Sequence, residues 1–219
     1  TETRGGLLAV YMIVTHVGLA GGQGLLNVAE ISEMTLYVVG SIIISVAVIP
    51  ILLSSAPQPH IKIDGEGLSV RTLIKTTPLG TFGCFMGGVA NGILLGMAAV
   101  YARRIGLDVS EISIFMAAIM IGGAAFQWPI GKLSDRMDRR RVIVMVSFAS
   151  GVIAICLALV QQNPVLLAVV AFVLGGLVLA LYPLFLSYAN DWFDYDQMVS
   201  ASSSLVMVYG AGAMLGPVG

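Results

Sequence analysis

The chain of 219 residues is 58% hydrophobic and 11% charged, with a mean hydropathy of +0.95; an ordinary soluble domain carries about 25% charged residues. That balance excludes a soluble enzyme and a disordered tail, and a net charge of −1 offers no basic surface to nucleic acid. Such a chain needs a bilayer as its solvent.

Cys84 and Cys156 both lie inside apolar runs, so neither a disulfide framework nor a metal site is expected, and no cofactor. The chain opens at Thr1 and closes at Gly219 within an apolar run. No signal-peptide pattern precedes the first hydrophobic segment, so a piece of a longer membrane protein is expected.

A transmembrane helix needs about 20 consecutive apolar residues. Seven runs qualify, at 7–26, 35–53, 79–101, 112–130, 142–160, 165–187 and 199–219, and every Lys, Arg, Asp and Glu falls outside them. A charge at the bilayer centre costs several kcal/mol, so this segregation predicts an all-α integral membrane protein. The first run carries His16, the sole residue in any run that titrates near neutrality, followed by Gly18-Leu-Ala-Gly-Gly22-Gln23-Gly24. An ionisable group in the membrane is a functional hypothesis by default. His16 is therefore the proton-coupling candidate, against the plainer reading of a neutral imidazole bonded to a neighbouring helix.

Between the second and third runs, Ser54 to Pro78 is turn-rich and polar, with Pro57, Pro59, His60, Asp64, Gly65, Glu66 and Gly67. It reads as a linker between two helical bundles or as a solvated loop. The third run holds Gly83, Gly87, Gly88, Gly92 and Gly96, with Asn91 as its only amide. The glycines predict a close-packing face; Asn91 either bonds to a neighbour or faces a substrate. Gln127 precedes Trp128-Pro129 near the end of the fourth run and reads as structural.

Next comes Gly131-Lys-Leu-Ser-Asp135-Arg136-Met-Asp138-Arg139-Arg140-Arg141, predicted as a short turn between antiparallel helices. Asp135 is placed to accept backbone or guanidinium hydrogen bonds, and a carboxylate beside a helix N-terminus is favoured by the dipole. The plain alternative is a cation cluster that only fixes topology. In the sixth run Pro183 predicts a bend and Tyr182 is the deeper of two tyrosines, the better substrate contact. Tyr188 reads as interfacial, and Asn190 and Asp191 as capping or gating residues. The last run ends Gly212-Ala-Met-Leu-Gly216-Pro217-Val-Gly219. Gly18 and Gly22 match Gly212 and Gly216 in spacing, as in transporters built from repeated bundles of about six helices.

Orientation follows from cations in alternate loops. Nine lie on one side (Arg4, Lys62, Arg71, Lys75, Lys132, Arg136, Arg139, Arg140 and Arg141), and only Arg103 and Arg104 on the other. The positive-inside rule puts the first set, with segments 54–78 and 131–141, in the cytoplasm. The segment with Asp191, Asp194 and Asp196 falls on that side without a cation.

The 131–141 stretch resembles the signature loop of the major facilitator superfamily, Gly-x-Leu-(Ala/Ser)-Asp-Arg-x-Gly-Arg-(Arg/Lys), in the copy joining helices eight and nine. Asp138 stands for the usual Gly; Asp tolerates a left-handed backbone better than most residues, so the turn is expected to survive. Gly216-Pro217 resembles the second-half copy of the family's Gly-x-x-x-Gly-Pro motif, and Gly18 to Gly24 the first-half copy with Gln23 in place of Pro. The drug- and sugar-efflux-like branch of bacterial members looks most similar.

The resemblance implies seven of twelve transmembrane helices, numbers five to eleven. Residues 1–53 would be the last two helices of the N-terminal bundle, 54–78 the cytoplasmic central loop and 79–219 the first five helices of the C-terminal bundle. It further implies a monomeric secondary transporter of a small solute in the bacterial inner membrane, with proton-coupled efflux as one form and no enzymatic step. The implied conformational latch joins Gly131, Asp135, Arg136, Arg139 and Arg140 to the backbone at Gly5 and Gly6. In the family helices seven and ten line the cavity, which makes Asn91 and Tyr182 substrate candidates. A non-transporting sensor on the same fold stays open as the alternative. A seven-helix retinal receptor lacks its intramembrane lysine, and an intramembrane enzyme would need a cluster of acids, histidines or serines that the runs do not hold.

Overall fold

Local chemistry sets where the helices start. Ser69 accepts a hydrogen bond from the Arg71 amide to open a short helix, and Pro78 occupies the first turn of the next. Asp108 and Glu111 form a reciprocal capping box, Asp138 accepts from the Arg140 amide, and Asn163 accepts from the Val165 and Leu166 amides ahead of Pro164. Each cap satisfies amides that a helix start leaves without intrahelical partners.

The computed structural model describes residues 14–25, 34–53, 68–160 and 163–218. Among them every regular element is helical: α1 over 14–24, α2 Thr35–Leu52, α3 Val70–Thr76, α4 Pro78–Arg104, α5 Val109–Arg136, α6 Arg139–Leu159, α7 Pro164–Asn190 and α8 Tyr195–Leu215, closed by a 3-10 turn at Gly216–Val218. Five of these, α4 to α8, are long and apolar enough to cross a membrane, while the apolar part of α2, Thr35–Ile49, is shorter. Of the first predicted run only 14–25 is described.

α4, α5 and α7 all outgrow their apolar runs, α4 and α5 with charged overhangs. α4 and α5 have 27 and 28 residues, about 40 Å each against a hydrocarbon thickness of about 30 Å. The overhangs carry Arg103 and Arg104 on α4 and Lys132 through Arg136 on α5. Most of the expected 131–141 turn is therefore helix, and the link to α6 is only Met137 and Asp138. Nor is Asp138 left-handed: at φ −56° and ψ 115° it is the N-cap of α6. The turn survives because Asp supplies a cap that Gly could not. Gly106, at φ +92°, alone has positive φ among the described residues.

The polar connection also differs from a solvated loop over its last residues. Residues 54–67 lie outside the described part, but α3 docks on the bundle. Leu73 is fully buried, and Ser204 Oγ of α8 donates to the Leu68 carbonyl at 2.8 Å.

α7 is the central helix and packs against α4, α5 and α6, with two glycine-lined seams bringing backbones into contact. Between α4 and α8, a Cβ on Gly88 or Gly92 would strike the carbonyl of Tyr209 or Ala213. One on Gly212 or Gly216 would strike that of Phe85 or Val89. Between α5 and α7, Gly122 meets the Phe172 carbonyl and Gly175 that of Ile119. In lipid no hydrophobic force draws helices together, so close van der Waals contact must do it. Outward residues such as Phe148, Ile155, Val165 and Met207 are exposed, as a lipid-facing surface requires. For Gly18 and Gly22 no described atom lies within 4 Å of a Cβ.

Candidate functional site

Three helix ends meet at the basic end of the bundle. The two-residue link between α5 and α6 sets Arg139, in the first turn of α6, beside Asp135, in the last turns of α5. Arg139 Nη2 lies 3.5 Å from Asp135 Oδ1, and Nε lies 3.3 Å from Asp191 Oδ2 at the C-cap of α7. Nη1 donates to Ser187 Oγ, one turn earlier on α7. One guanidinium thus ties three helices through three nitrogens. Its side chain is 26% exposed, while those of Asp135 and Asp191 are 72% and 51% exposed.

The placement of these charges is informative. Anions are favoured at helix N-termini and cations at C-termini. Yet Arg139 begins a helix, and Asp135 and Asp191 end theirs. The place beside a helix N-terminus belongs to Asp138, not to Asp135. All three charges oppose their helix dipoles and are held by one another.

The other predicted members are dispersed. Arg136 and Arg140 are exposed, Gly131 is half-buried, and Gly5 and Gly6, the expected partner of the loop, lie outside the described residues. Asp191 and Ser187 are partners that the sequence reading did not pair with Arg139. The available signal was topological: an acidic, cation-free segment falls on the side predicted to hold nine cations.

Deeper in the bundle, α4, α7 and α8 converge. Tyr182 of α7 packs against Tyr209 of α8 with ring centroids 4.2 Å apart and planes tilted by 42°, and a Cβ on Gly87 of α4 would lie 3.9 Å from Tyr182 Cα. Asn91, one turn further along the same face of α4, is half-buried and makes no hydrogen bond within the described residues. Tyr209 is the member that sequence reasoning missed; a lone tyrosine among small residues carries no pattern of its own. Asn190, at the α7 end, is bonded to Ser202 of α8 at 3.2 Å.

His16 sits elsewhere, where α1 crosses α5. Its ring edge lies 3.0 Å from the Cβ position of Gly123, and Ser113 Oγ donates to the Gln23 carbonyl further along. The order of these contacts makes the two helices antiparallel. Ala20 of α1 is buried between them.

The sequence profile of the Major Facilitator Superfamily matches residues 80–219. The chain belongs to the Major Facilitator Superfamily. Relatives reach across the rest of it: an "Uncharacterized MFS-type transporter YcaD" of Salmonella arizonae is 28% identical over 220 residues, covering 99% of this chain and 56% of the relative. Proteins of the same name from Escherichia coli O139:H28 and Shigella flexneri are 28% identical over 221 residues with the same coverage. The chain thus spans about half the length of the curated relatives it matches. No solved structure matches it. Membership makes the chain part of an all-α integral membrane protein, and α4 to α8, with the glycine seams and the three-charge junction, fall within the matched superfamily region.

Proposed function

We propose that the chain is the central part of a secondary transporter that moves a small solute by alternating access, with residues 1–53 and 79–219 belonging to two bundles joined through 54–78. The Asp135–Arg139–Asp191 junction carries the reading. Charges set against their helix dipoles add nothing to helix stability, so their arrangement is accounted for by a clasp that opens and closes. In one state Asp135, kept in place by Arg139, would meet the amides near Gly5 and Gly6, with Arg136 and Arg140 flanking. In the other the clasp would part. A few kcal/mol between the two states suffices to shift the population strongly. Asn91, Tyr182 and Tyr209 would face the solute; the polar groups there are neutral, which suits a neutral or amphipathic cargo better than a highly charged one.

Family membership and the transporter names of the relatives support transport over sensing. The nine-cation side supports a cytoplasmic place for 54–78 and 131–141, and the bacterial relatives support an inner-membrane protein. His16, on the α1–α5 crossing, is the residue proposed to couple protons, and efflux the proposed direction. The test is solute flux by the full-length protein in sealed vesicles. Saturable flux that Arg139→Gln alters supports the reading. Bilayer-level leak indistinguishable from empty vesicles, across neutral and amphipathic solutes, refutes it in favour of the sensor.

A further inference from the structure

A cavity of about 150 Å³ opens between α5 and α7 beside the three-charge junction. Gln127, Gly131 and Ser134 line it from α5, and Pro183 and Ser187 from α7, with Asp135 at the exposed end. Gln127 and Asp135 are eight residues apart on one helix, so the cavity reaches about 12 Å inward from the basic face.

Two buried oxygens have no hydrogen-bond partner in its walls. Ser134, only 4% exposed, offers a buried Oγ with none, and the Oε1 of Gln127 is likewise buried and unbonded. A buried polar atom left unpaired costs about 1–3 kcal/mol, and in proteins such atoms are satisfied by protein or by ordered water. Pro183, also in the lining, removes one backbone hydrogen bond from α7. Charge decides the class of occupant. Asp135 is already paired with Arg139, which also donates to Ser187, so the lining calls for no further cation or anion. A small neutral molecule that both donates and accepts fits, and the volume holds a few waters at about 30 Å³ each.

We propose that this cavity is an internal hydration site, in which a small cluster of water satisfies Gln127 and Ser134 and forms a polar track from the junction into the bundle. Its place beside Pro183 gives α7 a solvated pivot. There, α7 can flex without leaving backbone groups unpaired.

Thiol accessibility in the full-length protein in membranes tests this, in a background where Cys84 and Cys156 are replaced. Ser134→Cys is compared with Ala171→Cys, a fully buried position away from the cavity, and Gln127→Cys provides the second probe should Ser134→Cys not fold. Only a hydrated thiol ionises and reacts readily, so a small water-soluble methanethiosulfonate is expected to modify the cavity cysteine at least about tenfold faster than the control. A bulky polyethylene-glycol maleimide is expected to modify neither. Equal, slow rates at both positions would mean a dry cavity, and modification by the bulky reagent would mean an open surface. Protection of the cavity thiol when sodium replaces choline would mean a bound cation. Each of these three results overturns the proposal.

Discussion

Replacing Arg139 by Gln keeps much of the side-chain volume and removes the charge that joins α5, α6 and α7. Two ion pairs are lost, at 3.5 and 3.3 Å. Both acidic partners are more than half exposed, so each pair is screened and contributes about 0.2–1 kcal/mol. The charge-assisted bond to Ser187 is better shielded and contributes about 1.5–3 kcal/mol. Since Gln retains one amide donor, the net loss is placed at about 2 kcal/mol, roughly thirtyfold in an equilibrium constant. The assay is equilibrium unfolding of the full-length protein in detergent, run as double-mutant cycles with Asp191→Asn and Asp135→Asn. Asp191 is less exposed and nearer, so its coupling to Arg139 is expected to exceed that of Asp135. Arg139→Lys is expected to recover only part of the loss, because a point charge cannot serve three partners as a planar fork does. Coupling below about 0.3 kcal/mol in both cycles would reduce the junction to a surface cluster that holds no helices together.

Other expectations follow from the same geometry. Gly92→Val pushes a branched side chain onto the Ala213 carbonyl; a loss of about 1–3 kcal/mol is expected in detergent unfolding. Gly131→Ala, inside α5 where no described atom lies within 4 Å of a Cβ, is expected to raise stability by about 0.5–1 kcal/mol. Asp108→Ala removes the capping box of α5 and is expected to cost about 0.5–2 kcal/mol, with amide exchange rising in the first turn only. If His16 couples protons, His16→Gln abolishes pH-driven flux and leaves folding intact; undiminished flux ends that assignment.

What the sequence made legible was whatever lipid enforces locally. The seven runs were visible because a bilayer tolerates no stray charge, and α4 to α8 lie where five of them fall. The overhang of α5 was not visible, since an apolar window ends where lipid ends and a helix need not. The change at Asp138 was seen, but its reason was misjudged, because one residue can serve a turn either through φ or through its carboxylate. The packing roles of Gly88, Gly92, Gly212 and Gly216 are local spacing and could be read. The pairing of Arg139 with Asp191 joins residues far apart in sequence, and only the crossing of α6 and α7 creates it. The Tyr182–Tyr209 contact and the shared cavity of Gln127 and Ser134 depend likewise on helix rotation, which α7, apolar on nearly every face, does not disclose.

Alternating access can be tested without knowing the cargo, by placing a single cysteine at Asn91 of the full-length protein and applying a membrane-impermeant thiol reagent to each face of sealed vesicles in turn. Modification from both faces is expected, with Arg139→Gln shifting the ratio of the two rates. Modification from one face only, with a ratio that Arg139→Gln leaves unchanged, would contradict alternating access.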